Sequence, residues 1–209
     1  MSVPASGLVY VLDDDEELCL SLGWLLESVD IRTECYTDAD TFLSAFDPDR
    51  PACLVLDVRM PRIGGFHVQE LLAARDVALP VVFVSAHGDI PMSVRALQGG
   101  AVDFLEKPYD PQRMLDVVQN ALLVARERYA RRAERHELRE RVARLSPRER
   151  EILGQVTAGV PSKVIARQLG ISLKTVDAHR ARIREKTEAD TLGALIADMM
   201  RCGLRQTEL

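Results

Sequence analysis

Five short apolar runs punctuate the first half of the chain: Leu8-Val9-Tyr10-Val11-Leu12, residues 31–36, residues 52–56, Val81-Val82-Phe83-Val84 and Val102-Asp103-Phe104-Leu105. Runs of this length, rich in Val, Leu and aromatic side chains, read as strands of a buried parallel sheet. Between them lie segments with helical spacing. The first, roughly 16–28, carries Leu18, Leu22, Leu25 and Leu26; the others span about 38–46, 66–75 and 90–99. Regular alternation of strand and helix predicts a parallel sheet with helices on both faces. Gly64-Gly65 and Gly99-Gly100 mark turns between elements.

The rhythm changes at Pro111. Proline at a first helical position opens a stretch with no Gly or Pro until Pro147. A helix over 111–145 would be about 52 Å long at 1.5 Å per residue. Its first half has one apolar face, with Leu115, Val118, Leu122 and Ala125. Its second half is crowded with arginines from Arg126 to Arg144, broken by Tyr129, Ala133, Leu138 and Val142. Those arginines fit a solvated linker face, and also a coiled-coil or DNA-phosphate contact. At Ser146-Pro147-Arg148-Glu149 a new helix starts, with Ser as N-cap, Pro at N1 and Glu at N3 in a capping box. Helices follow over about 147–158, 162–169, 173–186 and 189–202, with Gly159, Gly170 and Gly203 at ends. The pair 162–169 and 173–186, joined by Gly170-Ile171-Ser172, has helix-turn-helix proportions.

Charge sharpens this division. Residues 1–110 hold 7 Lys/Arg against 19 Asp/Glu, a net −12. Residues 111–145 hold 9 against 5 and residues 146–209 hold 11 against 8, which brings the whole chain to −5. An acidic front and a basic rear imply separate tasks, the rear meeting a polyanion. Nothing resembles a signal peptide, and no apolar run reaches membrane-spanning length. The four cysteines, Cys19, Cys35, Cys53 and Cys202, lack paired spacing. They read as reduced core residues of a cytoplasmic protein without a zinc site.

The strand ends carry the candidate chemistry. Asp13 and Asp14 close the first strand, Asp57 the third and Ser85 the fourth, and Lys107-Pro108 follows the fifth. All fall on the C-terminal edge of one sheet, where open α/β sheets place their ligands. Each has an ordinary reading alone. Asp57 could cap a turn before Pro61, Ser85 a helix; Lys107 could be a surface charge, and the acidic run a helix N-terminus. Together at equivalent edges they form a pattern. Two neighbouring strands would bring the aspartates together, and clustered carboxylates repel unless a cation sits among them. An oxygen-rich acidic site of this kind suits Mg²⁺.

These motifs resemble the receiver domain of two-component response regulators: Val11-Leu12-Asp13-Asp14-Asp15, Leu56-Asp57-Val58-Arg59-Met60-Pro61, Gly64-Gly65, Ser85-Ala86-His87-Gly88-Asp89 and Glu106-Lys107-Pro108. The resemblance covers residues 8–125. The stretch from Leu145-Ser146-Pro147-Arg148-Glu149 through Ser172-Leu173-Lys174-Thr175-Val176 resembles the LuxR-type DNA-binding domain. With Ala86-His87-Gly88-Asp89-Ile90-Pro91-Met92, the combination is similar to FixJ-like and StyR-like regulators of the FixJ/NarL family.

The resemblance implies a doubly wound five-stranded parallel sheet in the flavodoxin-like order 2-1-3-4-5 over residues 1–125. A helical linker over 126–144 and an all-α helix-turn-helix domain over 145–209 would follow. It implies Asp57 as phosphate acceptor for a sensor histidine kinase. Mg²⁺ would be held by Asp14, Asp57 and the carbonyl of Arg59, with Asp13 acting partly through water. Lys107 and Ser85 would contact the phosphoryl group, and Ser85 and Phe104 would form the switch. Activation would pass through residues 90–105 to a homodimer face with Val94, Leu97, Ala101 and the charges Asp89, Arg95, Asp103 and Glu106.

In the rear domain, Val176, Ile183 and His179 would face the core. Lys163, Lys174, Thr175, Asp177, Ala178, Arg182 and Lys186 would lie toward promoter DNA. Asp177 suits cytosine N4 and equally a helix-dipole role; Ala178 suits a thymine methyl. Two other readings stay open: a Mg²⁺-dependent phosphatase with an Asp nucleophile, and a DNA-binding regulator independent of phosphorylation. Against the phosphatase, Arg59 stands where such enzymes carry a second Asp.

Overall fold

The computed structural model describes residues 7–75, 77 and 79–204. The expected domain limits at residues 1 and 209 lie outside them. The chain forms two compact units whose boundary falls between Ala130 and Arg131.

In the first unit the predicted alternation is realised. The order is β1 (Leu8–Leu12), α1 (Glu16–Glu27), β2 (Arg32–Tyr36), α2 (Ala39–Ala45), β3 (Ala52–Asp57), α3 (Gly65–Ala74), β4 (Val81–Ser85), α4 (Ile90–Gln98) and β5 (Asp103–Glu106), closed by the start of α5 (Pro111–Ala143). The five strands are parallel and ordered β2-β1-β3-β4-β5. The sheet reverses direction of winding between β1 and β3, the crevice where such folds bind ligands.

Each strand sends alternate side chains to opposite faces. Val9, Val11, Cys53, Val55, Val82, Val84 and Leu105 meet Cys19, Leu22 and Leu26 of α1 and Met114, Val118 and Leu122 of α5. Leu8, Tyr10, Leu12, Leu54, Leu56, Val81 and Phe83 meet Phe42 of α2, Val68 and Leu72 of α3, and Ala96 of α4. β1, β3 and β4 are buried throughout, which explains their unbroken apolar runs. β2 is an edge strand and is only partly covered, so the expectation of four core cysteines fails at Cys35, an exposed residue; Cys202 is half-buried.

Local chemistry sets the helix starts. Asp15 caps α1 by accepting the N–H groups of Glu17 and Leu18, Asp38 caps α2 and Asp89 caps α4. At α3 the constraint is space. A Cβ at Gly65 would stand 2.3 Å from the carbonyl oxygen of Asp57, so only glycine lets this helix begin against the end of β3.

The second unit holds the end of α5, then α6 (Pro147–Thr157), α7 (Ser162–Leu169), α8 (Leu173–Lys186) and α9 (Leu192–Arg201). Its core joins Leu138 and Val142 of α5 to Leu145, Ile152, Leu153, Ile165, Val176, Ile183, Leu195 and Met199. The stretch expected as linker, 126–144, therefore contributes two residues to this core. The capping box is present: Glu149 N–H donates to Ser146 Oγ and Ser146 N–H to Glu149 Oε2. The last helix starts at Leu192, not near 189, because Glu188 takes a positive φ of 55° and Thr191 supplies the N-cap.

Gly65→Ala should destabilise the first unit by roughly 1–3 kcal/mol, the usual cost of overpacking. Urea denaturation of the full chain measures this, and an unchanged midpoint would contradict the steric argument.

Candidate functional site

Asp13 and Asp57 end adjacent strands in register, Leu12 lying opposite Leu56. Both are buried at the sheet's C-terminal edge. Lys107, carried beyond β5, places its ammonium between them, with Nζ 2.5 Å from Asp13 Oδ2 and 2.8 Å from Asp57 Oδ1. The remaining oxygens take backbone donors. Asp15 N–H reaches Asp13 Oδ1 at 3.1 Å, and Arg59 N–H reaches Asp57 Oδ2 at 2.5 Å. Every buried carboxylate oxygen here has a partner, as burial of charge requires.

Burial raises the Asp57 carboxyl above the ordinary aspartate range; the Lys107 bond and charge oppose this, and the Asp13 charge adds to it. Burial alone would lower Lys107, but its bonds to Asp13 and Asp57 keep it above the usual lysine value. The ammonium therefore stays charged, and it is what makes two buried carboxylates tolerable.

Asp14 is exposed. Among the described residues no three His, Cys, Asp or Glu side chains converge on one point that could hold an ion. The expected set is Asp14, Asp57 and the Arg59 carbonyl, with Asp13 partly through water; of its carboxylates the fold brings Asp13 and Asp57 together through Lys107 and leaves Asp14 exposed. Lys107 offsets one of the two buried charges, while a third like charge is better accommodated in water. The donor set still suits Mg²⁺, which retains several waters and needs only one or two carboxylates. Three carboxylates against one ammonium leave a charge that a divalent ion would offset.

Ser85 ends β4 and is buried. Its carbonyl accepts the Lys107 N–H at 2.8 Å, so the serine and the lysine are fixed to each other through backbone. Its hydroxyl accepts His87 N–H at 3.3 Å. Phe104, opposite Phe83 in the sheet, is half-buried and lies against the following loop. A Cβ at Gly88 would meet its ring at 2.8 Å. The loop that carries Ser85 into α4 therefore touches the expected switch ring. Sequence reasoning missed Arg62, which pairs with Asp38 and Asp40 and ties the loop after β3 to α2; nothing local in sequence connects those positions.

On α4, Ile90, Val94 and Leu97 are exposed and form a stripe at helical spacing. Three charges expected to reach across a dimer axis have partners within the unit. Asp89 caps α4; Arg95 lies 4.3 Å over the Phe66 ring and 3.4 Å from Glu70; Asp103 bonds Arg113.

In the second unit α8 buries Val176 and Ile183 and half-buries His179, as its pattern implies. Lys174, Asp177, Ala178 and Arg182 are exposed along it, Thr175 is half-buried, and Lys163 is exposed on α7. Thr175 is drawn toward the N-cap, its Oγ1 2.8 Å from Ser172 Oγ. Lys186 differs from expectation. Its Nζ lies 2.8 Å from Oε2 of Glu149, a residue only 3% exposed. A buried carboxylate requires a partner, and here the half-buried Lys186 provides it. Arg180, not singled out from sequence, bonds Ser162 Oγ of α7 at 3.1 Å.

A doubly wound sheet with a lysine-bridged acidic edge, followed by a helix-turn-helix unit, defines a two-component response regulator. Residues 9–119 match the response regulator receiver domain and residues 143–198 the luxR family of bacterial regulatory proteins. The chain is 43% identical over 196 residues to the transcriptional regulatory protein TdiR of Thauera aromatica, covering 94% of this chain and 86% of that one. Identity to the transcriptional regulatory protein FixJ of Bradyrhizobium diazoefficiens is 36% over 198 residues, covering 95% and 97%. The solved structure of the response regulator StyR matches with a TM-score of 0.77 at 38% identity, over 94% of this chain and 99% of that one. This chain belongs to the FixJ/LuxR family of response regulator transcription factors.

Lys107→Met should lower the stability of the first unit by roughly 3 kcal/mol, the cost of leaving buried charge unpaired; denaturant titration at neutral pH reads it. In the second unit, burial alone would raise the Glu149 carboxyl, but the bonds from Lys186 and Ser146 hold it down to about 2, against an ordinary value of 4.5. An acid depressed on folding adds stability that is full above its unfolded value and is lost as pH falls through its folded one. The second unit should therefore weaken between pH 4.5 and about 2. In Glu149→Gln that part of the pH dependence should vanish, followed by second-unit amide signals during acid titration.

Proposed function

We propose that Asp57 accepts a phosphoryl group from a sensor histidine kinase, and that this promotes homodimerisation and binding to promoter DNA. The observation that carries the reading is the buried Asp57 carboxylate at the end of β3, held at 2.8 Å by Lys107. A carboxylate oxygen of Asp57 attacks the phosphorus of the kinase's phosphohistidine. The P–N bond breaks, its electron pair returns to the imidazole, which takes up a proton, and Asp57 carries an acyl phosphate. The acceptor and the incoming group are both anionic, so the step needs positive charge in place beforehand. Lys107 supplies one such charge and pairs with a phosphoryl oxygen. Mg²⁺, when bound by Asp14, Asp57 and the carbonyl of Arg59, with Asp13 through water, supplies the rest.

The Ser85 hydroxyl turns toward the phosphoryl group and draws its loop with it. Phe104 follows, because that loop lies against its ring. The movement reaches α4, whose exposed stripe of Ile90, Val94 and Leu97 is an apolar surface suited to a second copy. A two-fold dimer then offers two copies of α8 to two half-sites. On each, Lys163, Lys174 and Arg182 meet phosphates, while Asp177 and Ala178 face base edges beside Thr175.

With a beryllofluoride mimic and Mg²⁺, the wild-type chain should shift toward dimer in light-scattering chromatography and bind DNA more tightly. Asp57→Asn should do neither. An equal dimer fraction with and without the mimic in the wild type would sink the switch. DNA affinity should fall with salt, and a flat salt response would remove the phosphate contacts.

A further inference from the structure

We infer that Lys186 is a positioning residue of the recognition helix α8, holding it against α6 through the buried Glu149, rather than a contact to DNA. The inference rests on the second unit being the DNA-binding module and concerns how that module aims its helix.

Apolar packing leaves the aim of α8 loosely specified. Its two fully buried residues, Val176 and Ile183, lie seven positions apart on one stripe. Such a stripe fixes which face is inward, but it tolerates sliding and tilting at small cost, because dispersion contacts are not directional. Hydrogen bonds and ion pairs are directional. Two of them hold α8 to the other helices of the unit. Arg180 donates to Ser162 Oγ in the first turn of α7, and Lys186 donates to Glu149 Oε2 in the first turn of α6. They are six residues apart, about 9 Å along the axis, and two points fix the direction of a rod.

The Glu149 tie is the stiffer. The same oxygen that receives Lys186 also receives Ser146 N–H at 2.8 Å, within the capping box that opens α6. The carboxylate therefore cannot swing to follow Lys186 without uncapping α6. Around it the end of α8 is anchored further. Arg141 of α5 donates to the carbonyl of Thr187, the C-cap residue of α8, at 3.5 Å, and Arg144 pairs with Glu188 at 2.6 Å. Only Glu149 is buried in this pair, the Lys186 side chain being 40% exposed, so the pair adds little net stability; an attested use of such pairing is to specify one arrangement among several. Swinging Lys186 out to a phosphate would strand Glu149 in the interior.

The test uses the full chain with Lys186→Met, Arg182→Ala and the double variant Glu149→Gln/Lys186→Met. The probes are a duplex that the wild type selects from a random-sequence pool, and a scrambled duplex of the same composition. Each is titrated over a range of salt. Lys186→Met should weaken binding to the selected duplex roughly tenfold and to the scrambled duplex far less, with an unchanged salt slope. In the double variant the glutamine still caps Ser146 and no buried charge is left unpaired. It should regain stability yet keep the weakened, less selective binding, because the tie to α6 is still absent. Arg182→Ala, a phosphate contact, should make the slope shallower by about 0.9.

A slope shallower by about 0.9 in Lys186→Met would overturn the inference. So would a double variant that regains wild-type affinity and selectivity, or full affinity in Lys186→Met. If Lys186→Met does not fold, the double variant decides alone: a wild-type slope with reduced selectivity supports the inference, and a shallower slope or wild-type selectivity overturns it. Failure of the wild type to select any duplex would instead remove the DNA-binding reading beneath it.

Discussion

One ammonium shared by two buried carboxylates organises the first unit. Parallel strands β1 and β3 must each end in an aspartate for the site to exist, and burial makes each of those charges costly. Lys107 makes the pair tolerable from a third strand, β5, so the acidic edge links three strands of the sheet. The linkage explains why the site suits phosphoryl chemistry. Any change of charge at Asp57 enters the balance that Lys107 keeps between Asp57 and Asp13. A change of charge on Asp57 is therefore felt at β1 and β5 without any long-range device.

The neighbouring loops are arranged to pass such a change on. Ser85 and Lys107 are joined through backbone, and the loop after Ser85 rests on the Phe104 ring. α4 follows directly, with an apolar stripe outward and Arg95 held over Phe66 on its α3 side. Asp89, Arg95 and Asp103 have partners within the unit, while Ile90, Val94 and Leu97 stay exposed on α4.

The second unit uses the opposite economy. Its core is apolar and small, and the DNA-facing side of α8 is exposed. Buried polar bonds to α6 and α7 supply the direction that packing leaves open. In the first unit one ammonium serves two buried carboxylates; in the second, one serves a single buried carboxylate.

The sequence by itself determined the order and type of nearly every element, because buried strands and capped helices leave local signatures. The unbroken runs at β1, β3 and β4, the capping box at Ser146 and Glu149, and the Gly64-Gly65 turn are all written within a few residues of where they act. It also set which residues reach the sheet's C-terminal edge, since each ends its own strand. Tertiary structure alone decided how those residues divide their charge. Asp13 and Asp57 share Lys107 while Asp14 faces solvent; Lys186 turns to a glutamate 37 positions earlier; Arg62 reaches back to Asp38; Leu138 and Val142 belong to the second core. Each outcome is a competition among partners distant in sequence. Burial and electrostatic pairing in the folded chain settle it, and no local pattern records the result.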